Sequence, residues 1–127
     1  MDDSKCRDLI DRYITAYNTF DIDSMLALLS PDVRFENYSG GQLTASTSGI
    51  DEFRQLAEKS RSLFSEREQH ISSLRCYPDS ATADITYRGR LVADIPGGPD
   101  AGTVVVLSGR SDFSFDNGQI TKIVDHS

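Results

Sequence analysis

Long apolar runs are missing from this 127-residue chain. No stretch approaches the ~18 residues that a membrane-crossing helix needs. The opening residues, MDDSKCRDL, are acidic and lack the apolar core of a secretion signal. A cytoplasmic location with no membrane partner is therefore expected. Basic residues are also in deficit: 13 Lys and Arg stand against 20 Asp and Glu, a net charge of -7. Phosphate backbones reward clustered cations, so nucleic acid is not expected as a partner. Histidine is limited to His70 and His126, and cysteine to Cys6 and Cys76. These four make no CxxC pair and no His/Cys spacing suited to zinc, so no metal or other cofactor is expected, and the cysteines read as ordinary reduced thiols. No serine sits in a Gly-x-Ser-x-Gly setting. Pro96-Gly97-Gly98-Pro99 lacks the strand-to-helix context of a phosphate loop and reads as a flexible lip. No repeat, low-complexity tract or long linker interrupts the chain, which reads as one domain over residues 1–127.

What is present is a soluble composition, 38% hydrophobic and 26% charged, with enough apolar mass for one core. Leu9, Ile10, Tyr13, Ile14 and Tyr17 recur at spacings of three and four, predicting a helix from about Ser4 to Phe20. A short helix over Asp23–Leu29 follows, capped by Asp21 or Asp23 and ended by Pro31. Val33, Phe35 and Asn37 then alternate with Arg34, Glu36 and Tyr38, the pattern of a strand with the first trio inward. Ser39-Gly40-Gly41 breaks it. Ser48 and Asp51 suggest a capped third helix whose apolar side is Ile50, Phe53, Ala57 and Leu63. From about Gln69 the period returns to two. Pro78-Asp79-Ser80 marks a turn, residues 94–100 a loop, and Asp116-Asn117-Gly118 a hairpin turn before the last strand, Gln119 to His126.

Helices followed by a run of strands imply α+β architecture in the order ααβαββββ. A curved antiparallel sheet wrapped against three helices would enclose a cone-shaped cavity, a common place for a small apolar ligand. Strand parity and the first helix supply its inward list: Tyr13, Tyr17, Phe35, Asn37, Tyr87, Leu107, Ser111, Phe113, Ile123 and Asp125. Arg88 and Arg90 fall on the opposite face, which is solvated or dimer-facing.

One stretch gathers most of these signals: Tyr13-x-x-x-Tyr17-Asn18-x-x-Asp21-x-Asp23 through Ala27-Leu28-Leu29 and Asp32-Val33. With Gly49-Ile50-Asp51-Glu52-Phe53 and Gly118-Gln119-Ile120, the chain resembles the nuclear transport factor 2-like superfamily, in its SnoaL-like and ketosteroid isomerase-like branch. The resemblance runs from about Cys6 to Asp125 and implies the cystatin-like cone. It does not specify a reaction, because the scaffold hosts isomerases, dehydratases, hydrolases, cyclases and non-catalytic proteins. Ketosteroid isomerases of this type use a carboxylate base at the end of the first strand, a helical Tyr and a protonated Asp. Here Tyr13 falls on the Tyr, but the base position holds Asn37 and the second carboxylate position falls near Ser111. Steroid isomerisation by that route is not expected, because an amide cannot take a proton from carbon at neutral pH. The limonene epoxide hydrolases and SnoaL-like polyketide cyclases are similar in placing an Asp where Asp125 stands. Phe35-Glu36-Asn37 matches the hydrolase Asn and lacks its Tyr.

The resulting expectation is a cofactor-free acid/base enzyme with Asp125, Tyr13 and Asn37 as its catalytic trio. The other seven inward residues would bind substrate. The rival is a non-catalytic ligand-binding or dimerisation module on the same scaffold. The resemblance also implies a homodimer through the outer face of the sheet, with Val92, Val104 and Val106 as apolar contacts.

Overall fold

The computed structural model describes residues 2–127. Helix α1 spans Asp3–Asn18, and Asp2 caps it by accepting the Lys5 backbone N–H at 2.8 Å. Its Cys6, Leu9, Ile10, Tyr13 and Ile14 form one buried face, as the periodicity requires. Helix α2 covers Ile22–Ala27, with the Asp21 carboxylate on the Ser24 N–H. It stops before the expected end at Pro31, which lies instead inside strand β1, Leu29–Ser39. The register of β1 against its neighbour slips between Leu29 and Arg34. Proline, which has no N–H to give to a ladder, is tolerated in such a gap.

The order ααβαββββ needs one correction. Residues Gln42–Ser48 form a second strand, β2, so the order is ααββαββββ. Its sequence, QLTASTS, carries one large apolar residue and gives no hydrophobic alternation. Gly40 and Gly41, at φ 59° and 82°, turn the chain back into it. Helix α3, Ile50–Arg61, starts from Gly49 rather than Ser48. Ser48 gives its backbone N–H to the Glu52 carboxylate at 3.1 Å, and no side chain caps the helix, so the capping box expected of Ser48 and Asp51 does not form.

The remaining strands are β3, Phe64–Cys76; β4, Ser80–Leu91; β5, Val104–Asp116; and β6, Gln119–His126. They join one curved sheet in the order β2-β1-β6-β5-β4-β3. All ladders are antiparallel except β1 with β6, which run parallel. That pair places the first and last strands side by side, one strand in from the β2 edge of the sheet. The helices cover the concave side, α1 over β3 and α3 over β1 and β2.

The expectation of two free thiols fails. Cys6 in the first turn of α1 and Cys76 at the end of β3 are joined as a disulfide, with Cα atoms 6.4 Å apart. Seventy residues separate them in sequence, so no local spacing announces the bond. Only the packing of α1 on β3 creates it.

Candidate functional site

Registered pairs line up two rungs across the concave face. The deeper rung is apolar: Phe35–Ile123, Ile123–Phe113, Phe113–Ala81 and Ala81–Cys76. Two residues further along each strand, the next rung is Asn37–Asp125, Asp125–Ser111 and Ser111–Ala83. Residues two apart share a face, so three polar side chains from three adjacent strands stand together above an apolar floor.

Within this rung, Ser111 Oγ donates to Asp125 Oδ1 at 2.5 Å, in the short range of hydrogen bonds to carboxylates. Asp125 keeps some surface open to the cavity, yet protein surrounds its carboxyl in nearly every direction. Loss of water raises its pKa from 3.8 to about 6. The Ser111 hydrogen bond and the nearby His126 oppose that rise, and Asp112 adds to it. Asn37 is differently occupied. The register of β1 and β2 shifts between Asn37 and Tyr38, leaving Thr44 as the extra residue. Asn37 Nδ2 donates to Thr44 Oγ1 at 2.8 Å, and Thr44 Oγ1 donates to the Asn37 carbonyl at 3.1 Å. Its amide therefore first serves the bulge.

Helix α1 supplies the facing wall. Tyr13 is buried and meets Phe113 edge to face, centroids 6.1 Å apart. Burial, then Asp125 and Tyr17, hold its hydroxyl well above the usual range, with Arg67 opposing. One turn on, Tyr17 also has a raised pKa, chiefly from burial. Tyr87, Arg67 and Gln69 beside it work against the rise.

Two chambers flank this arrangement. The inner one, about 290 Å³, is lined by eight of the ten expected residues: Tyr13, Tyr17, Phe35, Asn37, Ser111, Phe113, Ile123 and Asp125. The structure does not bring Tyr87 and Leu107 into it. They line a larger outer chamber of about 950 Å³, where Leu107 is 48% exposed. Tyr17, Asn37, Gln69, Ser111 and Asp125 border both chambers. Ile95 of the 94–100 loop lines the outer one, consistent with a lip at its edge.

Sequence reasoning missed Met25, Phe53, Leu56, Ala57, Ser60 and Ala45 in the inner chamber, along with Gln69 and the nearby Arg67. Phe53 and Ala57 belong to the apolar side expected of the third helix, which faces the chamber. Arg67 was hidden by a boundary: β3 begins at Phe64, five residues before the expected Gln69. No group of three or more His, Cys, Asp or Glu suited to a metal ion occurs among the described residues.

Residues 10–123 match the SnoaL-like domain family. A solved protein from Xanthomonas campestris pv. campestris, provisionally named a polyketide cyclase, has a TM-score of 0.85 at 24% identity over 98% of this chain and 90% of that one. One from Silicibacter sp. TM1040 with the same provisional name has a TM-score of 0.75 at 27% identity over 94% and 85%. A Catenulispora acidiphila protein of ketosteroid isomerase-like fold, solved with trimethylamine, has a TM-score of 0.77 at 14% identity over 94% and 84%. No curated protein matches the chain.

Proposed function

The chain belongs to the SnoaL-like domain family, and on that premise we propose that it holds a small, mostly apolar molecule in the cone and moves a proton on it. Asp125 is the proton carrier in this reading. The supporting observation is the buried Asp125 carboxyl, tied to Ser111 above an apolar floor and facing the cavity. A carboxyl with a pKa raised to about 6 has both protonation states within reach near neutral pH, as a group that takes and returns a proton needs. Tyr13 and Asn37 orient or polarise a ligand oxygen beside it. Phe35, Phe113 and Ile123 give the ligand its apolar seat.

The reaction class is hydrolase, cyclase, dehydratase or isomerase, without a cofactor. Two of the structural relatives carry the provisional name polyketide cyclase, which makes phenolic polyketide-type ketones the first panel to try, with epoxides second. Products would be followed by mass spectrometry for the wild type and Asp125→Asn. The expected loss is about 10²- to 10⁴-fold in turnover, the usual contribution of a general acid or base. Unchanged turnover would remove Asp125 from the mechanism.

A second reading, a non-catalytic binding module, is favoured by one observation: the position where isomerase relatives carry a base holds Asn37, and its amide is committed to Thr44. Binding of panel members at the cone without conversion by the wild type would support it. A homodimer through the convex face belongs to the same proposal, with Val106 60% and Val92 49% exposed there. Light scattering at micromolar concentration should give about twice 14.1 kDa, and a monomer mass would count against it. The cytoplasmic location is also part of the reading, and the Cys6–Cys76 disulfide argues against it, because a reducing cytosol keeps thiols unpaired. Among the described residues no helix is long and apolar enough to cross a membrane.

A further inference from the structure

Arg67 is the one permanently charged side chain that is buried among the described residues, with 6% exposure. A guanidinium cannot shed its proton at any ordinary pH, so its burial must be compensated. The usual partner, a carboxylate, is absent: the ion pairs of the described residues join other groups. Instead Nε donates to the Tyr17 carbonyl at 3.0 Å, in the last turn of α1, where the helix presents partial negative charge. The guanidinium carbon lies 3.8 Å from the centre of the Tyr17 ring and 4.5 Å from that of Phe20. The electron-rich faces of both rings attract it. Phe20 sits there at φ 58°, an unusual conformation for a bulky residue.

The tyrosine against this cation packs on a second one. The rings of Tyr17 and Tyr87 meet edge to face at 6.3 Å, and Tyr87 and Gln69 both act to lower the Tyr17 pKa. Room for Tyr87 comes from Gly89, the register partner of Arg67. A Cβ at Gly89 would lie 3.0 Å from the Tyr87 hydroxyl oxygen and 2.8 Å from the Phe64 ring. Arg67, Gly89 and Phe20 thus together fix where two phenol groups stand. Tyr17 borders both chambers and Tyr87 the outer one. Hydroxyls in a water-poor wall with a fixed cation behind them are suited to an oxygen that carries negative charge.

We propose that Tyr17 and Tyr87 form the cavity's receptor for an anionic ligand oxygen of the phenolate or carboxylate type, and that Arg67 is the positioning residue that sustains it through the Tyr17 ring without touching the ligand. The receptor rests on the ligand-cavity reading above and deepens it: Tyr17 of α1 and Tyr87 of β4 take the ligand's negative oxygen while Asp125 works from β6. Burial raises the pKa of Tyr13, Tyr17 and Tyr87, and Arg67 opposes that rise in all three.

The test compares para-nitrophenol with the neutral, similarly shaped para-nitrotoluene. Affinities are measured by calorimetry, and the ionisation of the bound phenol by its visible absorbance. The wild type should prefer the phenolate about tenfold or more, in line with hydrogen bonds to a charged group, and should shift the bound phenol toward its ionised form. Tyr17→Phe, which keeps the ring under Arg67 and removes the hydroxyl, should lower that preference about tenfold. Arg67→Met should do the same while changing nitrotoluene affinity less than about twofold. A merely structural Arg67 would weaken both probes together and leave the ratio unmoved. Where Arg67→Met fails to fold, Arg67→Lys takes its place and should lose part of the ratio. A wild-type ratio near one, or a ratio unaffected by Tyr17→Phe or by the Arg67 variant, overturns the proposal. A flat ratio together with turnover lost in Asp125→Asn removes the receptor alone. A tenfold ratio with turnover indifferent to Asp125→Asn removes the acid/base reading alone.

Discussion

The two rungs on the concave face are built by the same strands, two residues apart, and do opposite work. Phe35, Ile123 and Phe113 close the deep end of the cone, with Ile123 and Phe113 both at 2% exposure. Asn37, Asp125 and Ser111 stand one rung nearer the opening and border both chambers. Nothing in the backbone separates these rungs; the side chains alone do. The apolar rung gains by excluding water. The polar rung gives up stability, because a carboxyl that loses its water is expensive when ionised. Fold and candidate function are thus assigned to neighbouring positions along one set of strands.

The largest expected effect tests the apolar rung. Phe113→Ala would remove a ring packed against Tyr13 and should cost about 3 to 5 kcal/mol in denaturant unfolding, the usual range for a buried phenylalanine. A cost under about 1 kcal/mol would mean the deep end is not a packed core. Reduction of Cys6–Cys76 comes next. It opens a crosslink between residues 70 apart, which in the loop-closure account contributes about 4 kcal/mol. Alkylation with and without reductant reads the pairing, and a thermal melt of the reduced protein reads its effect. Two thiols that alkylate without reductant would refute the bond.

The polar rung predicts a smaller effect with a distinctive sign. Asp125 has a folded pKa of about 6 against an ordinary 3.8, so the folded state binds more protons than the unfolded state between these values. Stability is therefore full below about pH 4 and falls as pH rises through 6. The loss should be on the order of 2 kcal/mol, allowing for the partial access of the carboxyl to the cavity. Asp125→Asn should flatten that part of the profile and match or exceed wild-type stability at pH 8. Ser111→Ala removes a group that lowers the Asp125 pKa, so the fall should begin at the same pH and extend to higher pH. A wild-type profile already flat from pH 4 to 7 would show that the carboxyl is well hydrated, and the contrast between the rungs would disappear.

Much of this contrast was legible beforehand. Alternation in Val33-x-Phe35-x-Asn37 and in the last strand placed the sheet members of both rungs on one face. The three-and-four spacing of Leu9 to Tyr17 placed Tyr13 and Tyr17 opposite them. The failures occurred where the local pattern is silent. QLTASTS alternates weakly because β2 is an exposed edge. β3 opens with FSEREQH, whose buried member is the charged Arg67, so neither hydrophobic alternation nor charge marks it as interior. Leu107 follows the correct parity, but it is half exposed and lines only the outer chamber.

The sequence by itself determined the helix faces, the strand faces and the turns, because those depend on periodicity and on the φ tolerance of a few residues such as Asn117 and Gly118. Tertiary structure decided three other things. It set β1 beside β6, which brings Asn37 into register with Asp125. It laid α1 on β3, which joins Cys6 to Cys76 and lowers Tyr17 and Phe20 onto Arg67. It also took water from the Asp125 carboxyl, a property of everything around that residue and of nothing adjacent to it in the chain.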